Sequence, residues 1–448
     1  MEKNNKYLYW ITFVAVQSGL IFGLNMAGIS GAVPFIQEYF ELTEVSLGVA
    51  VSSIMLGCLA GAMIIGSLSD KYGRKSMLIV SAIVFIISSL GCAVADSLWI
   101  FVASRFLSGI GVGFVSVIAP AYISEIAPAD KRGTLVTGNQ FAIVIGILLA
   151  YVFNYGFAEM EDGWRLMMGA PVVFGVIFLL LLILSFPESP RWLAKTGRYE
   201  KANLVLQKIG GEKFAKTELA NIKDGLANSD QSKVRLSELF KGRIAKVVLL
   251  GCLLAAFQQI TGINAVISYA PTIFSSTGVG GDQALMQSIL VGFVNFAFTI
   301  VALWLIDRVG RKVLLLVGTA GMTVSIACLI GFSNVEGQLG DIGVLVSLLS
   351  YIAFFAASLA PVMWVVISEI YPTRVRGIAM SLATATCWLF TFITVQLLPV
   401  MIGQMGNAFT FGVFGFFSFL AFVFVLKYIP ETKGKTLEEL EVQLGLKG

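Results

Sequence analysis

Among the amide side chains that lie within long apolar stretches of the chain, where polar groups are rare and costly to bury, five are candidates for a binding site. They are Gln140, Gln258, Gln259, Asn264 and Asn295. An amide donates and accepts hydrogen bonds without carrying charge, which suits an uncharged ligand with many hydroxyl groups. Any one of them alone could instead form a structural hydrogen bond between helices. Their clustering favours a binding site.

Three of these amides crowd into less than two helical turns. Gln258 and Asn264 are six residues apart and would point about 120° away from each other on a straight helix. A break at Thr261 or Gly262 would let both converge with Gln259, and discontinuous helices are common at such sites. We therefore expect a discontinuous helix in this segment.

The elements that position these side chains are predicted to cross a membrane. Hydrophobic residues make up 57% of the 448-residue chain and charged residues 13%, against roughly 45–50% and 25% in soluble domains. Apolar runs of about 20 residues, long enough for a helix to cross the hydrocarbon core, occur twelve times. We place them near residues 8–30, 46–68, 76–95, 98–124, 133–155, 164–186, 245–274, 284–306, 313–333, 343–368, 377–402 and 407–429.

Three sequence motifs occur twice, in the same order and about 240 residues apart. Residues 70–75 (DKYGRK) return at 307–312 (DRVGRK), 124–128 (SEIAP) at 368–372 (SEIYP), and 187–189 (PES) at 430–432 (PET). Duplicated helical bundles are typical of transporters whose substrate site lies between the halves. We expect four parts: a six-helix bundle at 1–186, an intracellular helical linker at 187–246, a second six-helix bundle at 247–430 and a cytoplasmic tail at 431–448.

Positive charges predict the orientation of the bundle. Of the 31 Lys and Arg residues, 29 lie in the N-terminal stub, in every second connection or near the C-terminus. The two exceptions are Arg105 and Arg165. The opposite connections are acidic. Because cytoplasmic loops are enriched in Lys and Arg, we expect both termini in the cytoplasm and the protein in the cell membrane. The net charge of +4 follows from this bias and does not indicate nucleic-acid binding.

Several other functions lack the residues that they require. The chain has no histidine, and its five cysteines lie singly in predicted spans without CxxC spacing. Histidine metal sites, Ser-His-Asp catalysis and a disulfide framework are therefore not expected. Residues 109–113 (GIGVG) lack the strand-helix context of a dinucleotide site. We expect no metal, no cofactor and no enzymatic activity.

The predicted linker is rich in charge, since residues 187–246 hold 13 of the 31 basic residues. Apolar residues at helical spacing in 199–209 and 219–226 predict short amphipathic helices. The linker is either a solvated connection or a latch that holds the two bundles together when the cytoplasmic side is closed. The sequence supports both interpretations equally.

The motif at residues 66–75, GxxxDxxGRK, could be only a positively charged turn that anchors the topology, but its second copy argues for more. It resembles the signature loop of the major facilitator superfamily. Other segments are similar to signatures of its sugar porter family: RxxxGxGxG at 105–113, PxYxSE at 120–125, PESPRWL at 187–193, QQITGIN at 258–264 and PETKG at 430–434. The resemblance covers nearly the whole chain. It implies the major facilitator fold, an all-α membrane protein of twelve transmembrane helices in two six-helix bundles, which transports a monosaccharide such as glucose or another hexose by alternating access.

The resemblance also implies roles for individual residues. The family's sugar-binding positions are matched by the five amides and by Phe22, Trp364 and Trp388. Tyr269, next to the expected break in the seventh span, is a candidate extracellular gate. A cytoplasmic gate of salt bridges is implied for Asp70, Arg74, Glu125, Arg132, Asp307, Arg311, Glu369 and Arg376. The chain departs from the family pattern at Ile147 and Cys387, where amides are common, which leaves the particular sugar undecided.

A further departure concerns ion coupling. Proton-coupled sugar porters carry an aspartate in span one that pairs with the span-four arginine, and this chain has Asn25 opposite Arg105. An asparagine cannot titrate, and facilitative glucose transporters likewise have asparagine here. All 27 Asp and Glu residues fall at span ends or in loops. We therefore expect a uniporter. The alternatives are a sugar/proton symporter that uses another acid, a sugar sensor that does not transport, and an organic-ion porter of the same fold.

Overall fold

The computed structural model describes residues 5–128, 131–227, 236–275, 280–335, 337–372, 375–435 and 439–440. Within these ranges the chain is predominantly helical. The apolar composition accounts for this, because a helix satisfies its backbone hydrogen bonds internally and can therefore lie in hydrocarbon.

Eight helices of the first half form six spans. They are α1 (Asn5–Ala27), α2 (Ile29–Tyr39), α3 (Glu44–Tyr72), α4 (Arg74–Ala93), α5 (Leu98–Ile126), α6 (Arg132–Phe157), α7 (Gly163–Gly169) and α8 (Pro171–Ser185). The first span consists of α1 and α2, joined at Gly28, and the sixth of α7 and α8, joined at Ala170; both joining residues keep helical backbone angles.

Two helices that follow the first half pack on its surface: α9 (Pro190–Lys195) and α10 (Tyr199–Ala227). The indole Nε1 of Trp192 donates to the backbone oxygen of Asp70 at 2.9 Å, and Lys195 pairs with the Asp70 carboxylate at 3.1 Å. Helix α10 covers both segments predicted to be amphipathic and bends at Gly211, where φ is 84°. These contacts attach the linker to the first half, and a latch to the second half remains a prediction.

The second half begins after a short 3-10 helix (Leu236–Phe240). Its helices are α11 (Gly242–Ile260), α12 (Ile263–Ser275), α13 (Gly281–Val309), α14 (Arg311–Phe332), α15 (Gln338–Ala356), α16 (Leu359–Ile370) and α17 (Arg376–Tyr428). Helices α11 and α12 form one span, and α15 and α16 another. Helix α17 is broken at Gly406, where φ is 77°, and so contributes two spans. The predicted all-α membrane fold with twelve spans is confirmed, whereas the boundaries of the four parts remain predictions.

The duplicated motif forms the same tight turn in both halves. Gly73 joins α3 to α4 with φ of 96°, and Gly310 joins α13 to α14 with φ of 105°. Such positive φ values strain residues that carry a Cβ atom, which explains the glycine in both copies. We call the side of the molecule that carries these turns the basic side, and the opposite side, where α3 and α5 begin, the acidic side.

A glutamate that follows the last span of each half closes the same turn. Glu188 accepts hydrogen bonds from the first two backbone N–H groups of α4, at 2.9 and 3.1 Å. Glu431 accepts from the first two N–H groups of α14, at 2.9 and 3.0 Å. The first N–H groups of a helix have no partner within the helix and favour a negative charge. Each half therefore connects the end of its sixth span to the start of its third.

The two halves meet along a seam that is closed on the acidic side. The Gln396 side chain of α17 accepts a hydrogen bond from the Ser52 hydroxyl of α3 at 2.7 Å and donates to the backbone oxygen of Val45 at 3.2 Å. The Tyr151 hydroxyl of α6 donates to the backbone oxygen of Ile267 in α12 at 2.8 Å. Val45 is the second residue of α3, so these contacts lie toward the acidic end of the bundle.

Candidate functional site

Three of the predicted site amides meet where the seventh span breaks. Gly262 adopts φ of 95° and separates α11 from α12. The amide nitrogen of Gln259 donates to the Gln258 side-chain oxygen at 2.9 Å, and that of Asn264 donates to the Gln259 side-chain oxygen at 2.6 Å. The break lies at one of the two residues where the sequence places it. It lets three side chains that a straight helix would separate form one hydrogen-bonded cluster.

A second broken span supports this amide cluster. The Gln258 amide donates to the backbone oxygens of Leu359 and Ala360, at 2.9 and 3.3 Å, where α15 gives way to α16. The hydroxyl of Tyr351 in α15 donates to the backbone oxygen of Thr261 at 2.8 Å. The carbonyl of Thr261 lies just beyond the end of α11 and needs a donor from outside that helix, whereas the carbonyls of Leu359 and Ala360, in the first turn of α16, can each accept a second hydrogen bond. The two interrupted spans therefore fix each other's geometry.

The thiol of Cys387 joins the same cluster from α17. The Gln259 amide donates to its sulfur at 3.2 Å, and the thiol lies 3.7 Å from the side-chain oxygen of Gln258. The next residue, Trp388, places its ring 6.0 Å from that of Phe22 in α1. An aromatic pair thus spans the seam beside the amides, and the position that departs from the family pattern lies directly against them.

The remaining predicted binding residues lie on three further helices. Asn295 of α13 is buried, and Gln140 of α6 and Trp364 of α16 are half-buried. The rings of Phe141 and Phe296, next to Gln140 and Asn295 in sequence, meet across the seam with their centroids 5.1 Å apart and their planes tilted by 42°. Among the described residues no hydrogen bond joins these side chains to the amide cluster.

Tyr269 marks a second irregular point in the seventh span. Its backbone leaves the helical region (φ −122°, ψ 19°), and its ring is 2% exposed. Within the described residues its buried hydroxyl has no hydrogen-bond partner. Because α12 packs against α2 here, Tyr269 lies on the closed acidic side of the seam.

Arg105 is fully buried among α1, α3 and α5. Its guanidinium donates to the backbone oxygen of Asn25 at 2.9 Å and to that of Val51 at 3.5 Å. The Asn25 side chain is directed elsewhere: it donates to the Ile21 backbone oxygen at 2.9 Å and accepts from the Ser108 hydroxyl at 2.7 Å. No carboxylate forms an ion pair with Arg105 in the part of the chain that the structure describes. The buried charge is stabilised by carbonyl dipoles.

The predicted gate residues on the basic side form ion pairs within each half. Arg74 pairs with Asp70 at 3.0 Å and with Glu125 at 2.9 Å, and Arg311 pairs with Glu369 at 3.2 Å. Arg376 donates to the backbone oxygen of Tyr371 at 3.2 Å, Arg132 is exposed, and the Asp307 side chain lies outside the described residues. The repeated motif thus builds one arginine–glutamate pair per half.

Two of the residues that join the halves were not singled out from the sequence. Gln396 is an amide inside a predicted span, the same signal that identified the five others. Tyr151 carries only the weaker signal of a tyrosine in an apolar run. Within the described residues, no group of three or more Cys, Asp or Glu side chains is arranged to hold a metal ion.

Comparison with known families decides the identity of this arrangement. The family model described as sugar (and other) transporter matches residues 11–444 of the chain. The chain belongs to this family. It is a sugar porter of the major facilitator superfamily, as the sequence motifs indicated. The family assignment identifies it as a transporter and not as an enzyme.

Relatives of this sugar porter include transporters of several sugars. It is 38% identical to the D-xylose-proton symporter of Escherichia coli, over 98% of this chain and 96% of the relative. It is 38% identical to the glucose transporter GlcP of Staphylococcus epidermidis, over 99% and 98% of the two chains. It is 37% identical to the arabinose-proton symporter of Bacillus subtilis, over 97% and 94%.

Solved structures confirm the fold of this sugar porter. The xylose transporter XylE of Escherichia coli in a partially occluded inward-open conformation superposes with a TM-score of 0.85, at 36% identity, covering 96% of this chain and all of that chain. The same transporter bound to 6-bromo-6-deoxy-D-glucose gives a TM-score of 0.82, at 37% identity, over 99% and 100% of the chains.

Proposed function

We propose that the protein carries a monosaccharide, glucose or another hexose, across the cell membrane by alternating access. The amide cluster of Gln258, Gln259 and Asn264 beside the ring pair Phe22–Trp388 is the observation that carries this proposal. It offers donors and acceptors for hydroxyl groups and aromatic faces for the apolar side of a sugar ring. Gln140, Asn295 and Trp364 complete the proposed site when the ligand draws the halves together.

The closed seam supports a direction for the conformational cycle. With the basic side in the cytoplasm, as the distribution of Lys and Arg predicts, the acidic-side contacts of Gln396 and Tyr151 close the extracellular entrance. Tyr269 is the proposed extracellular gate beside them. On the basic side, the pairs of Arg74 and Arg311 with glutamates would form the cytoplasmic gate, together with Asp70, Arg132, Asp307 and Arg376.

Uniport is the mode of transport that the buried arginine supports best. Arg105 is held by backbone oxygens, and both ends of the Asn25 amide are already hydrogen-bonded. An asparagine cannot exchange a proton, so this pair offers no group that could be loaded and unloaded in a transport cycle. Sugar would then move only down its own gradient.

Proton symport is the second candidate, because two relatives at 37–38% identity are named as proton symporters. Radiolabelled glucose uptake into proteoliposomes, with and without an inward proton gradient, separates the two modes. Uptake that equilibrates in both conditions is the expected result, and accumulation driven by the gradient would establish symport instead. Absence of uptake for glucose, other hexoses and pentoses alike would overturn the transport proposal.

A further inference from the structure

A groove of about 370 Å³ opens on the outer perimeter of the bundle, at the acidic end of the seam. Two of its walls belong to α3 and α5 of the first half, and the third belongs to α17 of the second half. Its apolar lining includes Val49, Leu56, Trp99, Ala103, Phe106 and Phe392.

The apolar side chains at the rim of this groove are exposed on the outside of the bundle, where we expect membrane-spanning helices to contact lipid. Val49 is 36% exposed, Leu56 37%, Phe106 37% and Trp99 76%. Single exposed apolar residues are expected on lipid-facing helices, but here they line a concavity. The groove is therefore open to the hydrocarbon of the bilayer, and none of its lining residues belongs to the proposed sugar site.

The polar groups in the floor of the groove are already hydrogen-bonded. The Ser52 hydroxyl donates to the Gln396 side-chain oxygen at 2.7 Å, and the Gln396 amide donates to the Val45 backbone oxygen. The Ser53 hydroxyl donates to the Ala50 backbone oxygen at 3.1 Å. A ligand that needs hydrogen bonds would find few partners here. The chemistry of the floor favours a hydrocarbon.

The dimensions of the groove also match a hydrocarbon chain. Trp99 is the second residue of α5 and lies at its acidic end, where an aromatic residue is typical of the membrane–water interface. Phe106 lies seven residues further on, about 10 Å deeper along the helix. A methylene group is close in size to a water molecule, whose share of liquid volume is ~30 Å³, so the groove holds roughly a dozen carbon atoms.

We propose that this groove binds one acyl chain of a membrane lipid, which enters beside Trp99 with its headgroup at the acidic-side interface. Phe392 and Gln396 belong to the second half, whereas the walls formed by α3 and α5 belong to the first. The groove therefore exists in this form only while the seam is closed. The bound chain would therefore favour the conformation that is closed on the acidic side.

The test uses the purified full-length protein in nanodiscs that hold one copy each, with a phosphatidylcholine that carries a diazirine midway along one acyl chain. After irradiation, mass spectrometry of peptides locates the labelled residues. We expect several-fold more label on the groove residues of α3 and α5 than on Val176, Ile177 and Leu180 of α8, which are 41%, 48% and 51% exposed. Equal labelling would indicate ordinary annular lipid and would overturn the proposal.

A variant that fills the groove sharpens the test. Ala103→Phe should lower labelling of the groove to the level of α8, whereas Val173→Phe, at a position that is 60% exposed and outside the groove, should leave it unchanged. Unaltered labelling of the groove in Ala103→Phe would contradict the proposal. In vesicles that hold many copies, loss of the lipid label from the groove would indicate that a second copy covers it, and this result would also contradict the proposal. The wild-type comparison with α8 stands even if Ala103→Phe fails to fold.

Discussion

Replacing Gln396 by leucine should weaken the closure of the acidic side. The substitution removes two hydrogen bonds between the halves, those with Ser52 and with the Val45 backbone oxygen. It keeps a side chain of similar size. A Cβ atom built on Gly48 would lie 2.6 Å from the Gln396 amide nitrogen, which shows how closely α3 and α17 approach at this point.

The size of the effect follows from hydrogen bonds between membrane helices. Such bonds contribute ~0.6 kcal/mol on average and up to ~1.7 kcal/mol. In Gln396→Leu the Ser52 hydroxyl can bond to its own helix instead, so the loss of the two hydrogen bonds costs about 1–2 kcal/mol. This is a factor of about 5–30 in the equilibrium constant between the closed and the open acidic side. The population that is open on the acidic side should rise by this factor.

Hydrogen–deuterium exchange in proteoliposomes measures this population. Amides at residues 44–52 and 396–405 should exchange faster in Gln396→Leu by the same factor, since exchange through rapid opening follows the open population. Gln404→Leu, which removes an exposed amide from the same helix, is the matched control. Equal exchange in wild type, Gln396→Leu and Gln404→Leu would refute the role assigned to these two hydrogen bonds.

Three further predictions concern the sugar site, the buried arginine and the turn of the second half. Asn25→Asp should make glucose uptake pH-dependent and responsive to a proton gradient, because an aspartate can titrate beside Arg105; equilibrative, pH-independent uptake would contradict our account. Gln259→Leu removes the contacts with Gln258, Asn264 and Cys387 and should raise the KM for glucose about tenfold, the effect of ~1.4 kcal/mol, while Gln404→Leu should leave KM unchanged. Backbone hydrogen bonds outweigh burial and lower the pKa of Glu431 below its ordinary 4.5. Its contribution to stability is thus complete above pH 4.5 and is lost as pH falls through the lower pKa. The Tm of wild type should therefore exceed that of Glu431→Gln at pH 7 and approach it as pH falls below 4.5; a pH-independent difference would refute this.

The span count and the break at Gly262 could be predicted because both follow from local pattern. Apolar length determines how many helices cross a bilayer, and amides that a straight helix would separate indicate an interruption. The pairing of these amides depends on distant residues. Nothing in the segment from Gln258 to Asn264 indicates that the carbonyl groups of Leu359 and Ala360 complete the cluster.

The environment of Arg105 shows the same limit. The sequence indicates that the arginine lacks its usual aspartate. It does not indicate that the backbone of Asn25, and not its side chain, faces the guanidinium. That depends on the Ser108 hydroxyl, one turn further along α5, which takes the Asn25 side-chain oxygen. Likewise, the attachment of Trp192 to the Asp70 backbone required the three-dimensional arrangement.

The paired glutamates at the turns have a consequence for biosynthesis. Glu188 reaches the start of α4 from just beyond the last span of the first half, so the first bundle contains its own closing contact once residues near 190 have left the ribosome. We therefore expect the first bundle to complete this contact before the second half is translated, and Glu431 forms the equivalent contact after the last span of the second half. Each half carries the means to complete its own assembly, as expected if the ancestral unit was a single six-helix bundle.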